Sequence, residues 1–441
     1  MSEAAPLILG AGMAGMAAAA HLAAAGSCPV VLESAREAGG RARSWNLAGR
    51  RVDQAPHLLV GAYTRTLEFL HLVGAAGGLR PLPGAVYPFW DPRFGAYRLD
   101  LGRGRHPFNL LRGMLGFGIL SWRERWMALV LGMSLARDRP LSPGRSVTEW
   151  LFAQGQSPHA LAALWGPLCL ATLNEPPASA DALLFREVLR RLFTGPAGSC
   201  DPMMFDRDMS RAWVQPAQSF ITRHGGQVCT GERVRALECR GRTLVAVVTN
   251  RGRRVVSGPV IAALPRHVLA RLLPEWAAAC GLCAVPDAPI VGVHLFFSQP
   301  MPLEHPLLGL PTLTSQWLVD AGSLQGAAQG HWCAVLSGAW REVHWSRERL
   351  EAAVMADLAL VRPDAVAQVS AVRVVRERRA TFAAWPDSAS WRPATDAAPC
   401  DNLFLAGDWV ANGLPATLEA AVVSARRAVD RVLAWEGGKV P

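Results

Sequence analysis

The feature that most constrains this chain is the stretch from residue 6 to residue 33. Pro6-Leu7-Ile8-Leu9 runs into Gly10-Ala11-Gly12-Met13-Ala14-Gly15, an alanine-rich segment follows, and the apolar run Val30-Val31-Leu32 ends at Glu33, 18 residues beyond Gly15. The pattern is strand, glycine turn, helix, strand, with an acid closing the second strand. Each glycine has its own task. Gly10 permits the tight turn, Gly12 lets a pyrophosphate approach the backbone, and Gly15 lets helix and strand pack closely. The helix N-terminus, with Met13 and Ala14 in its first turn, offers unpaired N–H groups to phosphates, and Glu33 supplies acceptors for a ribose. A GxGxxG triplet alone is weak evidence; with strand, helix and acid in register it specifies a dinucleotide site.

Composition bounds the rest. A chain of 441 residues, 51% hydrophobic and 18% charged, is globular and long enough for two or three domains. The net charge of +10 is scattered, and arginine carries nearly all of the basic character, Lys439 being the one lysine. Basic runs interleaved with aromatics are lacking, as are zinc-finger and RNA-recognition signatures, which argues against a nucleic-acid partner. An anionic membrane surface suits 16 tryptophans and positive charge better. The 9 cysteines are odd in number and dispersed, as buried thiols in a reducing cytosol would be. Cys280-Gly281-Leu282-Cys283 is a lone CxxC without a second pair, so no metal site is expected. Met1-Ser2-Glu3 lacks the positive start of a signal peptide, and the chain has no uninterrupted apolar run of about 18 residues that could span a bilayer. The expected location is cytoplasmic, peripheral on the inner face of the membrane.

Strand-and-turn patterns return between residues 225 and 264, where 227–228, 233–237, 243–249 and 254–264 predict a three-stranded meander feeding a buried strand at 260–264. Residues 402–408 read as another buried strand closing on Gly407-Asp408, followed by a helix over 416–434. The predicted fold class is α/β. A discontinuous Rossmann-like nucleotide domain with its meander comprises residues 1–85, 205–265 and 395–441; an α+β substrate domain comprises 86–204 and 266–394. Residues 106–135 are rich in large hydrophobes, Trp122 and Trp126 among them, yet studded with arginine. They read either as an interfacial docking segment or as helices covering a cavity, and both hold if the cavity opens toward the bilayer. Residues 159–193 read as further helices and 289–297 as an alternating strand.

Gly39-Gly40-Arg41-Ala42-Arg43-Ser44 follows Glu33 closely. This E…GGRxxS arrangement resembles the flavin amine oxidase and carotenoid desaturase superfamily, whose cofactor is FAD and whose GGR arginine lies beside the pyrophosphate. Further segments narrow the resemblance: Val-Asp-Gln-Ala-Pro-His-Leu-Leu-Val-Gly-Ala-Tyr at 52–63, Trp-Gly-Pro-Leu-Cys-Leu-Ala-Thr-Leu-Asn at 165–174, Pro-Ile-Val-Gly-Val-His-Leu at 289–295, Glu-Arg-Arg-Ala-Thr-Phe at 377–382, then 403–409 and Gly-Leu-Pro-Ala-Thr-Leu-Glu at 413–419. In this order, over residues 6–434, they resemble the squalene-associated FAD-dependent desaturases, that is, the hydroxysqualene dehydroxylases of squalene and hopanoid biosynthesis. The family tends to Asp-Asn-Gly-Gln-His where this chain has Asp53-Gln54-Ala55-Pro56-His57, and to Asp-Thr where it has Ala411-Asn412. These departures leave FAD intact and bear on the substrate.

The resemblance implies a two-dinucleotide-binding-fold flavoprotein that reductively removes the allylic hydroxyl of hydroxysqualene, with carotenoid-type polyene desaturation or amine oxidation as the alternative. It places Gly10, Gly12, Met13, Ala14, Gly15, Glu33, Gly40 and Arg41 around ribose and phosphates and Val234 at the adenine. Gly407 and Asp408 fall at the ribityl or pyrophosphate groups, and Ala416 and Thr417 where the last helix faces the flavin. Asp408 as a simple strand-end cap and Val234 as an ordinary strand valine are the competing readings. For the proton, Asp53, His57, Tyr63 and Glu419 are candidates, His57 the most attractive because an ordinary imidazole titrates near neutrality; Asn174-Glu175, His294 and an ordered water are further ones. The substrate would be a long apolar isoprenoid held by burial. No second GxGxxG is evident, so an external electron donor is expected. Amine oxidases commonly set an aromatic pair beside the flavin, whereas only Trp409 stands near the last helix here.

Overall fold

The computed structural model describes residues 5–47, 49–102, 107–137, 141–326, 330–388 and 390–435. Residues 1–4 and 436–441 of the expected nucleotide domain, and residue 106 of the 106–135 segment, lie outside the described residues.

The apolar runs come together in one parallel sheet of order Gln227–Cys229, Val30–Leu32, Leu7–Leu9, Val260–Ala262 and Leu403–Leu405. Parallel strands need cover on both faces, which is why they read as continuous apolar runs. Successive side chains serve opposite faces. Ile8, Val31 and Ile261 pack with the Met13–Ala24 helix, whose small residues Ala17 to Ala20 let the Leu418–Leu433 helix lie close against it. Leu9, Leu32 and Val260 pack on the other side with Leu244 and Val247 of the meander Val234–Arg240, Thr243–Thr249, Gly252–Val255.

A second sheet of seven strands runs in the order Val369–Phe382, Asp287–Phe297, His331–Ser337, Trp317–Asp320, Leu307–Gly309, Val86–Asp91 and Gly95–Asp100. The alternation expected at 289–297 is absent. That strand lies between two long neighbours. On one face Val291, Val293 and Leu295 pack with Leu350, Val354 and Leu358 of the Arg347–Val361 helix, while on the other Ile290 and Gly292 line a cavity. Both faces are therefore covered.

Residues from 108 to 135 form two helices, Phe108–Gly116 and Trp122–Leu135. Ser121 starts the second through a reciprocal capping box with Glu124, and Arg125 ties the break together by donating to the Leu115 and Leu120 carbonyls. The last helix begins at Leu418 rather than 416, because Thr417 is extended (φ −136°, ψ 167°) and its hydroxyl accepts the Ala420 N–H as an N-cap. Among the described residues no helix is long and apolar enough to cross a membrane.

Candidate active site

A cavity of about 1620 Å3 lies between the two sheets. Its nucleotide end is built from backbone. Gly10 has φ of +102°, and a Cβ there would sit 2.5 Å from the Ala263 carbonyl oxygen. A Cβ on Gly15 would meet the Gly10 oxygen at 1.9 Å, so helix and strand can approach only because none is present; Gly15 itself does not line the cavity. Gly12 differs from both. The nearest atom to a Cβ there would be Gly40 Cα at 4.0 Å, and Gly12 lines the cavity with Gly10, Met13, Ala14 and Gly40. The helix that starts after Gly12 has neither a side-chain cap nor a first-turn acid, so its N-terminal donors and positive dipole end serve an anion. Glu33 Oε2 accepts the Ala11 N–H at 2.8 Å and Oε1 the Ala35 N–H at 2.8 Å. The carboxylate is fixed on the cavity wall with lone pairs left for hydroxyls. Val234 lines this end too. An open side at Gly12, free amides and an anchored acid fit the adenosine diphosphate part of FAD.

Deeper in, Arg41 Nη2 lies 2.7 Å from Asp408 Oδ2 and Nη1 donates to the Ala380 carbonyl. The Asp408 carboxylate thus joins the glycine-arginine loop to the end of the last strand, and both side chains line the cavity. The Gly407 N–H donates to Ser424 Oγ at 2.8 Å, and a Cβ on Gly407 would fall 2.7 Å from the Trp409 indole nitrogen. Ala416 and Thr417 line the same wall. Sequence reasoning missed the residue that shapes it. Arg392 is buried and donates to the carbonyls of Asp408 (3.2 Å), Trp409 (3.2 Å), Val410 (2.7 Å) and Leu414 (2.8 Å) and to Asn412 Oδ1 (3.1 Å). One guanidinium organises the whole 408–414 loop. Burial pushes it down to about 10, with Asp408 opposing, so it keeps its charge at neutral pH. No local signal could have found it, since Trp391-Arg392-Pro393 reads like any surface arginine.

The proton-donor candidates separate clearly. The Glu419 carboxylate is buried and accepts the Arg65 N–H (3.1 Å), the Thr66 N–H (2.9 Å) and the Thr66 hydroxyl (2.8 Å), capping the Thr64–Leu72 helix. Both oxygens act as acceptors, which argues against proton donation. Asp53 accepts from the Ser44 hydroxyl, the Met209 N–H and the Gln325 amide; burial pushes it up to about 6. It does not line the large cavity. It borders a second one of about 20 Å3, room for about one water, with His57, His294, His331 and Cys333. His294 Nδ1 lies 3.0 Å from His331 Nε2, and burial pushes His294 down to about 4. Asn174, in a left-handed C-cap, accepts the Gly338 N–H and donates to Thr381, and Glu175 accepts from the Trp340 indole and Ser179, so both tie elements together. His57 lines both cavities, and its Nδ1 makes no hydrogen bond. Burial pushes it down to about 4, against the sequence expectation of a group poised near neutrality. Tyr63 lines the large cavity, as Thr417 does; burial, then the Glu419 charge, raise its phenol well above the ordinary value, so it keeps its proton at neutral pH.

The far end of the cavity is apolar. Leu164, Leu168, Val188 and Leu192 form its walls, and Phe108, Leu111, Trp126 and Met133 rim it while remaining exposed. A nucleotide cradle continuous with such a chamber defines the class: an FAD-dependent oxidoreductase. Residues 13–433 match the flavin containing amine oxidoreductases, and the chain belongs to that family, whose cofactor is FAD. Within it the chain falls with the hydroxysqualene dehydroxylases. It is 31% identical to that of Rhodopseudomonas palustris over 97% of this chain and 98% of the relative, and 28% identical to that of Sinorhizobium fredii over 97% of each. Among solved structures, an oxidoreductase from Methanosarcina mazei shares the fold with a TM-score of 0.76 at 17% identity, over 96% of this chain and 99% of that one.

Proposed function

We propose that this protein is an FAD-dependent hydroxysqualene dehydroxylase. The overall change replaces the allylic hydroxyl by hydrogen: a hydride and a proton enter, and squalene and water leave. The observation that carries the reading is the single cavity that runs from the glycine cradle to an apolar mouth. At about 1620 Å3 it exceeds the usual ligand site of about 300–1,000 Å3, as a chamber shared by a dinucleotide and a long hydrocarbon must.

FAD, when bound in reduced form, supplies the hydride; Gly10, Gly12, Met13, Ala14, Glu33, Gly40, Arg41, Val234, Gly407, Asp408, Ala416 and Thr417 would hold it, Gly15 acting through helix packing. The chain's own residues do the rest. Leucine and valine walls bind the isoprenoid at roughly 25 cal/mol per Å2 buried, and they exclude water from an allylic carbon that carries positive charge as the hydroxyl departs. Tyr63 donates its phenolic proton to the departing hydroxyl. Burial and the Glu419 charge hold that proton on the phenol until the hydroxyl, leaving as the stronger base hydroxide, takes it. His57, held neutral, accepts a hydrogen bond or positions the hydroxyl. We assign residues 1–85, 205–265 and 395–441 to the cofactor domain and 86–204 and 266–394 to the substrate domain.

Access is from a membrane. Trp122 (72% exposed), Leu115 (56%) and Trp126 (58%) stand in water beside the cavity mouth. Arg112 and Arg123, both exposed, lie on the same two helices. Exposed aromatics and arginines suit docking on an anionic bilayer surface, from which an insoluble substrate enters directly. The reductant is external, since the one glycine signature is taken by FAD.

Polyene desaturation and amine oxidation fit less well. Trp409 has no aromatic mate at the last helix, and its indole is spent on the Leu264 carbonyl at 3.0 Å. The test is anaerobic: reduce the purified yellow protein with dithionite, add hydroxysqualene in detergent, and follow flavin absorbance with squalene by gas chromatography. Flavin reoxidation with one squalene per flavin is expected; flavin that stays reduced with hydroxysqualene overturns the reading.

A further inference from the structure

Cys239 and Cys400 are 161 positions apart in sequence, yet their sulfurs lie 2.7 Å from one another. Among the described residues no other two cysteines are within hydrogen-bond distance; Cys280 of the CxxC turns instead to the Ala277 carbonyl. The approach is well inside ordinary sulfur–sulfur contact, though longer than the bonded separation of about 2.05 Å.

The encounter is built into the fold. Val234–Arg240 is an edge strand of the meander, and its pairing with Thr243–Thr249 shifts register between Glu238 and Cys239, a bulge that re-aims the side chain. Cys400 sits in the turn leading into Leu403–Leu405. That turn is held on the hairpin without any help from sulfur: the Asp401 N–H donates to the Arg242 carbonyl at 2.6 Å, and the Asn402 side chain accepts the Leu244 N–H and donates to the Leu244 carbonyl at 2.8 and 2.9 Å. Joining the sulfurs therefore asks little movement of the backbone.

We propose that Cys239 and Cys400 are a reversible disulfide site, closed by a small disulfide oxidant such as oxidised glutathione, that pins the meander to the strand leading into Gly407-Asp408. Cys239 is exposed and reacts first. It loses its proton, its sulfur bonds to one glutathione sulfur, and the second glutathione leaves as thiolate. Cys400, too buried for glutathione to reach, then loses its proton, attacks the Cys239 sulfur and expels the first glutathione. Two protein thiols become one disulfide, and one oxidised glutathione becomes two reduced ones, which take up both protons. Burial and the neighbouring thiol push Cys400 up to about 12, so the second step is the slow one and quickens with pH. Leu403–Leu405 is the edge strand of the parallel sheet with Val260–Ala262 as its one strand partner, so the tether secures an element otherwise held on one side.

The test uses the holoenzyme in glutathione buffers of rising oxidation, alkylated without reduction and mapped by mass spectrometry, with flavin release on heating as the second readout. The expected result is a Cys239–Cys400 linked peptide that disappears in excess reduced glutathione, with release of flavin delayed by a few degrees in the linked form. Cys400→Ser should stop the reaction at glutathione attached to Cys239. A wild-type protein that keeps both thiols, retains the mixed disulfide at Cys239, or links other cysteines instead overturns the proposal. Linked protein that releases flavin at the unlinked temperature overturns the tether.

Discussion

The two ends of the cavity are made by different means. At the nucleotide end the wall is backbone, and a single added carbon at Gly10 or Gly15 collides with a carbonyl oxygen. At the apolar end the wall is side chain, and leucine and methionine of similar volume can exchange places for less than about 1.5 kcal/mol. A diphosphate must be met by donors at fixed positions, whereas a featureless hydrocarbon asks only for volume and dryness. The first end therefore writes a motif into the sequence, and the second writes only a composition.

The sharpest way to break this contrast is at two glycines three residues apart. Gly15→Ala places a carbon 1.9 Å from the Gly10 oxygen and should abolish folding of the nucleotide domain, with no soluble yellow protein recovered. Gly12→Ala meets nothing closer than 4.0 Å, so it should fold, show native circular dichroism and emerge colourless. If both behave alike, the assigned roles are wrong. Next in size is Arg392→Ala, which removes the guanidinium donor from four carbonyls around residues 408–414 and from Asn412 Oδ1, the last of which keeps the Leu414 N–H. With four carbonyls left unpaired, it should cost on the order of 3 kcal/mol in denaturant unfolding and weaken FAD retention. Tyr63→Phe should lower kcat by about 100-fold with little change in flavin content, while His57→Gln, lacking a proton to give near neutrality, should lower it far less.

The small cavity behind His57 gives a pH signature. His294 and His331 are pushed by burial to about 4 and about 3, below the unfolded value of about 6.5. The folded state thus binds fewer protons, so the stability these groups contribute is complete above pH 6.5 and is lost as pH falls toward their folded values. Denaturant unfolding should show a loss on the order of 2 kcal/mol per group between pH 6.5 and 5, and His331→Gln should flatten that slope. The smallest effect belongs to the mouth. Trp122→Glu with Leu115→Glu, neither of which lines the cavity, should reduce partition onto anionic vesicles by at least about tenfold and leave flavin absorbance unchanged. Unchanged partition would remove the membrane from the account.

What could be read from sequence follows the same division. The parallel strands, the meander and the loop at 407–408 were legible because each has a local signature: an apolar run, a glycine with one allowed conformation, an acid at fixed spacing. Residues 289–297 misled because the helix at 347–361 buries one face and the cavity wall takes in the other, partners that local alternation cannot see. Glu419 looked like an acid in a family-like segment, but its carboxylate is committed to the helix that begins at Thr64, accepting from Thr66, 353 residues earlier in the chain. Arg392 and the Cys239–Cys400 contact were invisible because their meaning lies entirely in partners brought together by the fold.

The central claim is that flavin and isoprenoid share one chamber and that hydride passes directly between them. The most direct measurement is to reduce the enzyme with dithionite in D2O, run one anaerobic turnover with hydroxysqualene, and locate deuterium in the product by mass spectrometry and NMR. The account predicts squalene with one deuterium at the carbon that lost the hydroxyl. Squalene unlabelled at that carbon, or none formed at all, would contradict it.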